Sequence, residues 1–253
     1  MAQTNDPNEA LAAMHTPEAI GDRIASTSKH SYLGDFVLGA VDGTVTTFAI
    51  VAGVAGAGLD SVVAIVLGLA NVVADGFSMA VSNFLKSRAD RQVVERFRAM
   101  EEMHIDEVPD AEREEIRQIF AGKGFDGNIL EEIVKVITHD RKRWVDTMLV
   151  EEWGVQLETP SPTRAALTTF VAFVLAGLVP ILPLCMGAWL SESQTFATSA
   201  VLEGITFFLI GVARGRITER SLIMTGIETL LVGGLAASSA FAIGALLRGL
   251  VGT

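Results

Sequence analysis

The amino-acid sequence predicts an all-α, polytopic membrane protein with five transmembrane helices and a three-helix cytosolic insert between the second and third spans. Three observations predict it. Half of the 253 residues are hydrophobic and the mean hydropathy is +0.43, too apolar for an ordinary soluble domain of this length. The 24 glycines suit close helix packing in lipid better than a soluble helical core. Charge is segregated: of 30 acidic and 19 basic residues, 18 and 13 lie between Lys86 and Arg164. The chain joins apolar blocks that need lipid to one charged block that needs water. The expected domains are a polar N-terminal cytosolic segment (1–34), spans one and two (35–85), a charged helical insert (86–164) and spans three to five (165–253).

The first 34 residues hold Ser, Thr, His and both charge signs, with no apolar run that serves as a signal peptide, so no cleavage is expected. A spanning helix needs about 20 mostly apolar residues to cross about 30 Å of hydrocarbon. Five stretches meet this, at 36–55, 61–85, 165–190, 196–213 and 221–247. The lone cysteine, Cys185, sits in one of them, which excludes an intramolecular disulfide. Orientation follows from Lys and Arg. Placing the N-terminus, the insert and the 214–220 loop on one side gives that side 18 of the 19 basic residues and leaves only Arg248 opposite. The first side is then the cytosol, and the C-terminus lies outside or in a lumen.

Within the insert, the first helix continues from span two through Arg88 to about His104, and Pro109 stops it. Asp110 is positioned to cap a second helix, which Gly122 and Gly124 end. Asp126 is positioned to cap a third, with Glu131 and Glu132 near its positive end. The apolar stripe of that third helix, Ile129, Ile133, Val136, Ile137, Trp144 and Met148, has helical spacing up to Gly154.

Ionisable groups in lipid are costly and tend to mark pathways. Span one carries Asp35 at its cytosolic entrance and Asp42 inside. Seven residues is nearly two turns, so the two share a face with Gly39, with Thr46 close by. Span two carries Asn71, Asp75 and Met79 at four-residue spacing, flanked by Ser78 and Ser82. Carboxylate plus thioether suits a borderline divalent cation, since sulfur favours transition metals over magnesium or calcium. Such groups also pair with neighbouring helices or cap helix ends, and Glu203 and Glu228 fit a structural or proton-linked role better than metal ligation. In the insert, Glu101 with His104 and Glu112 with Glu115 stand three apart, and Met148 with Glu152 four apart. Each pair projects from one helix face, so three helices can converge on one metal; the same spacings also occur on ordinary solvated faces. Glu101-x-x-His104 has the form of half a di-iron site, but the second Glu-x-x-His is missing, because Val136 precedes His139 by three. An oxidase is therefore disfavoured, and no Gly-rich ATP loop is present to support a primary pump.

These residues resemble the vacuolar iron transporter family over residues 30–250. The resemblance rests on Leu38-Gly-Ala-Val-Asp-Gly-Thr-Val-Thr46, Gly76-Phe-Ser-Met-Ala80, Glu112-x-x-Glu115-Ile, Met148-x-x-x-Glu152 and Pro180-x-x-Pro183, in that order. It implies a homodimer of five-span subunits that exports ferrous iron from the cytosol in exchange for protons, often accepting manganese. It puts pathway ligands at Asp35, Asp42 and Met79, and a cytosolic metal cluster at Glu101, Glu112, Glu115, Met148 and Glu152. Two positions depart from the family: His104 stands where a glutamate is usual, and Asn71 where an acid is expected. The first shifts metal preference or adds pH sensitivity.

The expected function is thus a proton-coupled divalent-metal transporter, not an enzyme, with no catalytic cofactor. Its partners are divalent metal ions, protons, the lipid bilayer and a second copy of itself; nucleic acid is not expected. The alternative is a membrane-anchored metal sensor signalling to a partner protein, against which the polar faces of spans one and two argue. A bacterial cytoplasmic membrane is favoured over a vacuole.

Overall fold

The structure, a computed structural model, describes residues 11–27, 31–186 and 191–251. Every regular element among them is helical: α1 (Pro17–Thr27), α2 (Leu33–Ala57), α3 (Ser61–Glu107), α4 (Pro109–Gly122), α5 (Gly127–His139), α6 (Arg141–Glu151), α7 (Pro162–Gly177), α8 (Glu192–Ile217) and α9 (Leu222–Val251), with a short 3-10 turn at Leu184–Met186. The chain divides into two compact units, one of Tyr32–Ser87 with Ser161–Thr253, the other of Met1–Ser31 with Arg88–Pro160.

In the first unit, α2, α3, α8 and α9 are long and apolar enough to cross a membrane. Their outward residues, such as Val73, Phe77, Leu209, Leu231 and Leu235, are exposed apolar side chains, as expected of helices whose outer solvent is hydrocarbon. Helix α2 is central and packs on α7, α8 and α9. Two glycines permit its approach to α7: a Cβ on Gly39 would strike the Thr169 carbonyl oxygen, and one on Gly43 the Phe173 carbonyl oxygen. This is the small-residue contact that lets membrane helices meet backbone to backbone. Gly58, in the left-handed region at φ 67°, ends α2 by returning its N–H to Ala55 and Val54. Asp60 then opens α3 by accepting from the Val62 N–H at 2.7 Å.

The third predicted span differs from expectation. Its helix, α7, is apolar but only 16 residues long and stops at Gly177; turns follow to Met186. Pro180 is the physical reason. It lacks an N–H, its ring clashes with a preceding turn, and it disfavours helical backbone at Val179. The 214–220 loop is also shorter than expected, because α8 runs to Ile217 and places Arg214 and Arg216 in its last turn, where cations complement the helix dipole.

The second unit holds the end of α3 and helices α4 to α6, around a core that includes Ile105, Ile116, Val134, Trp144, Met148 and Leu149. Pro109 itself begins α4, at a position where its missing N–H costs nothing; Asp110 lies inside the helix and pairs with Arg113 at 2.7 Å. The expected single third helix is two. It breaks at Asp140, whose side chain accepts from the Arg143 N–H and caps α6. Arg141 secures the break by pairing with Asp106 at 2.5 Å and donating to the Glu102 carbonyl oxygen at 2.9 Å, both on α3.

Candidate metal sites

In the charged unit, three of the six sequence-predicted ligands converge. One ligand atom each from Glu101, His104 and Glu112 lie within 4.8 Å of one another, and His104 Nδ1 stands 3.3 Å from Glu112 Oε1. Local sequence explains the convergence. Glu101 precedes the core residue Ile105 by four, and Glu112 precedes Ile116 by four, so each acid shares a face with a buried isoleucine and is drawn to the edge of the core. Both carboxyls are almost fully buried, at 1% and 2% exposure. Trp153 donates its indole N–H to Glu101 Oε1 at 2.8 Å and stacks on Phe97 at 4.3 Å, which fixes the Glu101 carboxyl. The other oxygens, Glu101 Oε2 and Glu112 Oε2, find no hydrogen-bond donor among the described residues.

Two buried acids side by side, with no Lys or Arg bound to either in the described residues, need a proton or a cation. Burial, then the charges of Glu115 and Glu101, pushes the Glu112 carboxyl up to about 7. Burial, then Glu101 and Glu115, likewise pushes Glu152 up to about 7, with His104 acting the other way. Glu115 and Glu152 are themselves exposed and bear on the cluster through charge. Met148 is fully buried in the apolar core. The donor set of two carboxylates and an imidazole suits a divalent transition-metal ion. Trp153 was missed by sequence reasoning; its place immediately after Glu152 at the end of α6 gave no signal of its bond to α3.

In the apolar unit, Asp35 and Asp42 on α2 and Asn71, Asp75 and Met79 on α3 are all half-buried. Asp42 and Asp75 lie close enough for their charges to act on each other. Thr46 connects the helices: its hydroxyl donates to the Asp42 carbonyl oxygen at 2.8 Å and accepts from the Asn71 amide at 3.2 Å. Nearer the start of α2, the Asn83 amide donates to Asp35 Oδ1 and to Thr169 Oγ1, each at 2.8 Å. Three helices, α2, α3 and α7, thus hold one carboxylate. Asn83 and Thr169 were not among the predicted residues. Asn83 was findable, since it continues the four-residue series Asn71, Asp75, Met79; Thr169 carried no signal in sequence. Elsewhere, Glu228 on α9 pairs with Arg214 on α8 at 2.5 Å, which gives it a structural partner.

Comparison with known proteins bears on what these sites serve. The chain is 35% identical to the vacuolar iron transporter of Centaurea cyanus, over 82% of this chain and 84% of that protein. It is 32% identical to vacuolar iron transporter 2 of Oryza sativa subsp. japonica, over 85% and 89%, and 30% identical to the vacuolar iron transporter of Toxoplasma gondii, over 96% and 85%. The expectation of a bacterial membrane gains nothing from these relatives. The model of the VIT family matches residues 33–245. A match across both the apolar helices and the charged unit makes this chain an integral membrane protein of the VIT family, a family of transporters and not of enzymes.

Proposed function

We propose that this protein is a proton-coupled carrier that exports ferrous iron, and accepts manganese, from the cytosol as a homodimer of five-span subunits. The observation that carries the reading is the polar face on apolar helices: Asp42 against Asp75, with Asp35 held by Asn83 and Thr169. An anchor needs no such face, and charge within a membrane segment is retained where something charged passes. The sensor alternative draws no support from relatives named as transporters.

The basic residues set the orientation, with the N-terminus and residues 86–164 in the cytosol and the C-terminus opposite. In this mechanism the acidic unit collects the ion through Glu101, His104 and Glu112, aided by the charges of Glu115 and Glu152. The membrane unit carries it on Asp35, Asp42 and Met79. Protons and metal compete for the same carboxylates, so protonation from the far side lowers affinity there and releases the ion. No catalytic step is involved. The test is metal uptake into sealed vesicles containing the purified protein, with a metal-quenched dye inside and a pH gradient imposed. Uptake that accelerates when the interior is made acidic supports the reading; uptake indifferent to the gradient removes proton coupling from it.

A further inference from the structure

Helix α8 carries a buried face spaced by four residues: Thr195, Ser199, Glu203 and Phe207. Thr195 donates to the Ser191 carbonyl oxygen at 3.0 Å, and Ser199 to the Pro180 carbonyl oxygen at 2.7 Å. Glu203 differs. It is 0% exposed, and neither carboxyl oxygen has a hydrogen-bond partner among the described residues. Phe207 packs on Phe48, Ile210 on the Ala40 cluster and Phe196 on the Val51–Val54 cluster, so α8 runs antiparallel to α2. That register sets Glu203 near the level of Thr47, whose buried hydroxyl is also without a partner among the described residues. The charged groups on packed elements are Asp35 and Asp42 of α2 and Glu228 and Arg248 of α9. None acts on Glu203, whose surroundings impose only burial. Arg214, the nearest basic residue on α8 itself, is eleven residues away, about 16 Å along the axis, and is bound to Glu228.

We propose that Glu203 is a proton-binding site of the membrane unit, separate from the α2–α3 metal face, and that it carries a proton moved in exchange for metal. A bare carboxylate there would have neither water nor countercharge, the costliest state for the group. A divalent ion is a poor occupant, since among the described residues no second carboxylate, imidazole or thiol groups with Glu203 and no other charge acts on it. A proton fits. One O–H bond forms on entry and breaks on exit, the neutral acid becoming the anion only while the proton is in transit. The broken backbone after α7 supplies the access: non-helical segments at membrane depth persist where they are buried in protein or line a wet cavity, and Pro180 of that segment contacts α8 one turn from Glu203.

The coupling role rests on the proton-coupled reading above; the proton site itself does not. The experiment uses the whole protein in vesicles with a metal dye and a pH dye, manganous ion as the probe, and wild type, Glu203→Gln and Glu203→Asp. Glu203→Gln should keep downhill manganese flux within about threefold of wild type while proton movement per metal falls by about half, the exchange at the α2–α3 carboxylates remaining. Coupling unchanged in Glu203→Gln would overturn the proposal. Infrared difference spectra between acid and alkaline pH should show a protonated-carboxyl stretch that Glu203→Gln lacks, and identical spectra would overturn the site. A wild type without coupling but with that band would instead remove the exchange mechanism and leave the proton site standing. If Glu203→Gln does not assemble, Glu203→Asp should shift the band and slow proton movement several-fold; an unshifted band would overturn the proposal.

Discussion

Metal binding by the acidic unit should depend steeply on pH between 6 and 8. Glu112 of the cluster and Glu152, whose charge bears on it, are both pushed up to about 7, and a bound cation favours the ionised form of each. Each is about nine-tenths ionised at pH 8 and about one-tenth ionised at pH 6, so each costs about tenfold in affinity over that range. The sign is that of a raised acid. Protons hold the cluster below pH 7, the competition fades above it, and affinity rises with pH. If both acids release a proton on binding, affinity should fall about 100-fold from pH 8 to pH 6; if only Glu112 does, about tenfold. Calorimetric titration of the solubilised full-length protein with manganous ion, in buffers of different protonation enthalpy, reads affinity and released protons together. Glu112→Gln should lower affinity at pH 8 and flatten the slope by about one proton. Affinity independent of pH in the wild type, or a Glu112→Gln slope equal to wild type, would refute the reasoning.

Other outcomes follow from single contacts. Trp153→Phe keeps the stack on Phe97 but removes the donor to Glu101 Oε1; metal affinity should fall about tenfold with the helical circular-dichroism signal unchanged, as for loss of an outer hydrogen bond that orients a ligand. Replacing His104 with Glu exchanges imidazole for a third carboxylate and should move preference from zinc or nickel toward manganous ion, read by competition titration. Asn83→Leu removes the Asn83 donations to Asp35 and to Thr169 and should slow vesicle flux about tenfold, with binding by the acidic unit unaltered. Gly43→Ala sets a methyl against the Phe173 backbone and should cost about 1–3 kcal/mol or more, seen as a lower midpoint in thermal unfolding in detergent.

Sequence patterning revealed the long elements because apolar length is a strong signal: α2, α3, α8 and α9 coincide with predicted spans to within a few residues at most ends, α3 running on past span two as expected. The break in the third span was written in Pro180 and Pro183, but continuous hydropathy across them hid it. The split at Asp140 escaped for another reason. Ile137 and Trp144 are seven residues apart, nearly two turns, so the apolar phase carries across a break that a capping aspartate makes. In the acidic unit, spacing could not tell a cluster from a solvated face. Burial distinguishes Glu101 and Glu112 from Glu115, but the isoleucine four residues on is no sequence sign of it, because Ile119 follows Glu115 at the same spacing and only Ile105 and Ile116 are fully in the core. Partners brought together from distant elements, Trp153 to Glu101 and Thr169 to Asn83, depend on tertiary packing and have no local pattern.

The central claim, that metal crosses on the α2–α3 polar face, is tested most directly by Asp42→Asn in reconstituted vesicles. The change keeps shape and removes the charge that acts on Asp75, while the acidic unit and its ligands stay intact. The account predicts that manganous and ferrous flux and metal-driven proton movement both vanish in a protein that still assembles and still binds metal through Glu101, His104 and Glu112. An Asp42→Asn protein carrying metal at the wild-type rate would contradict it.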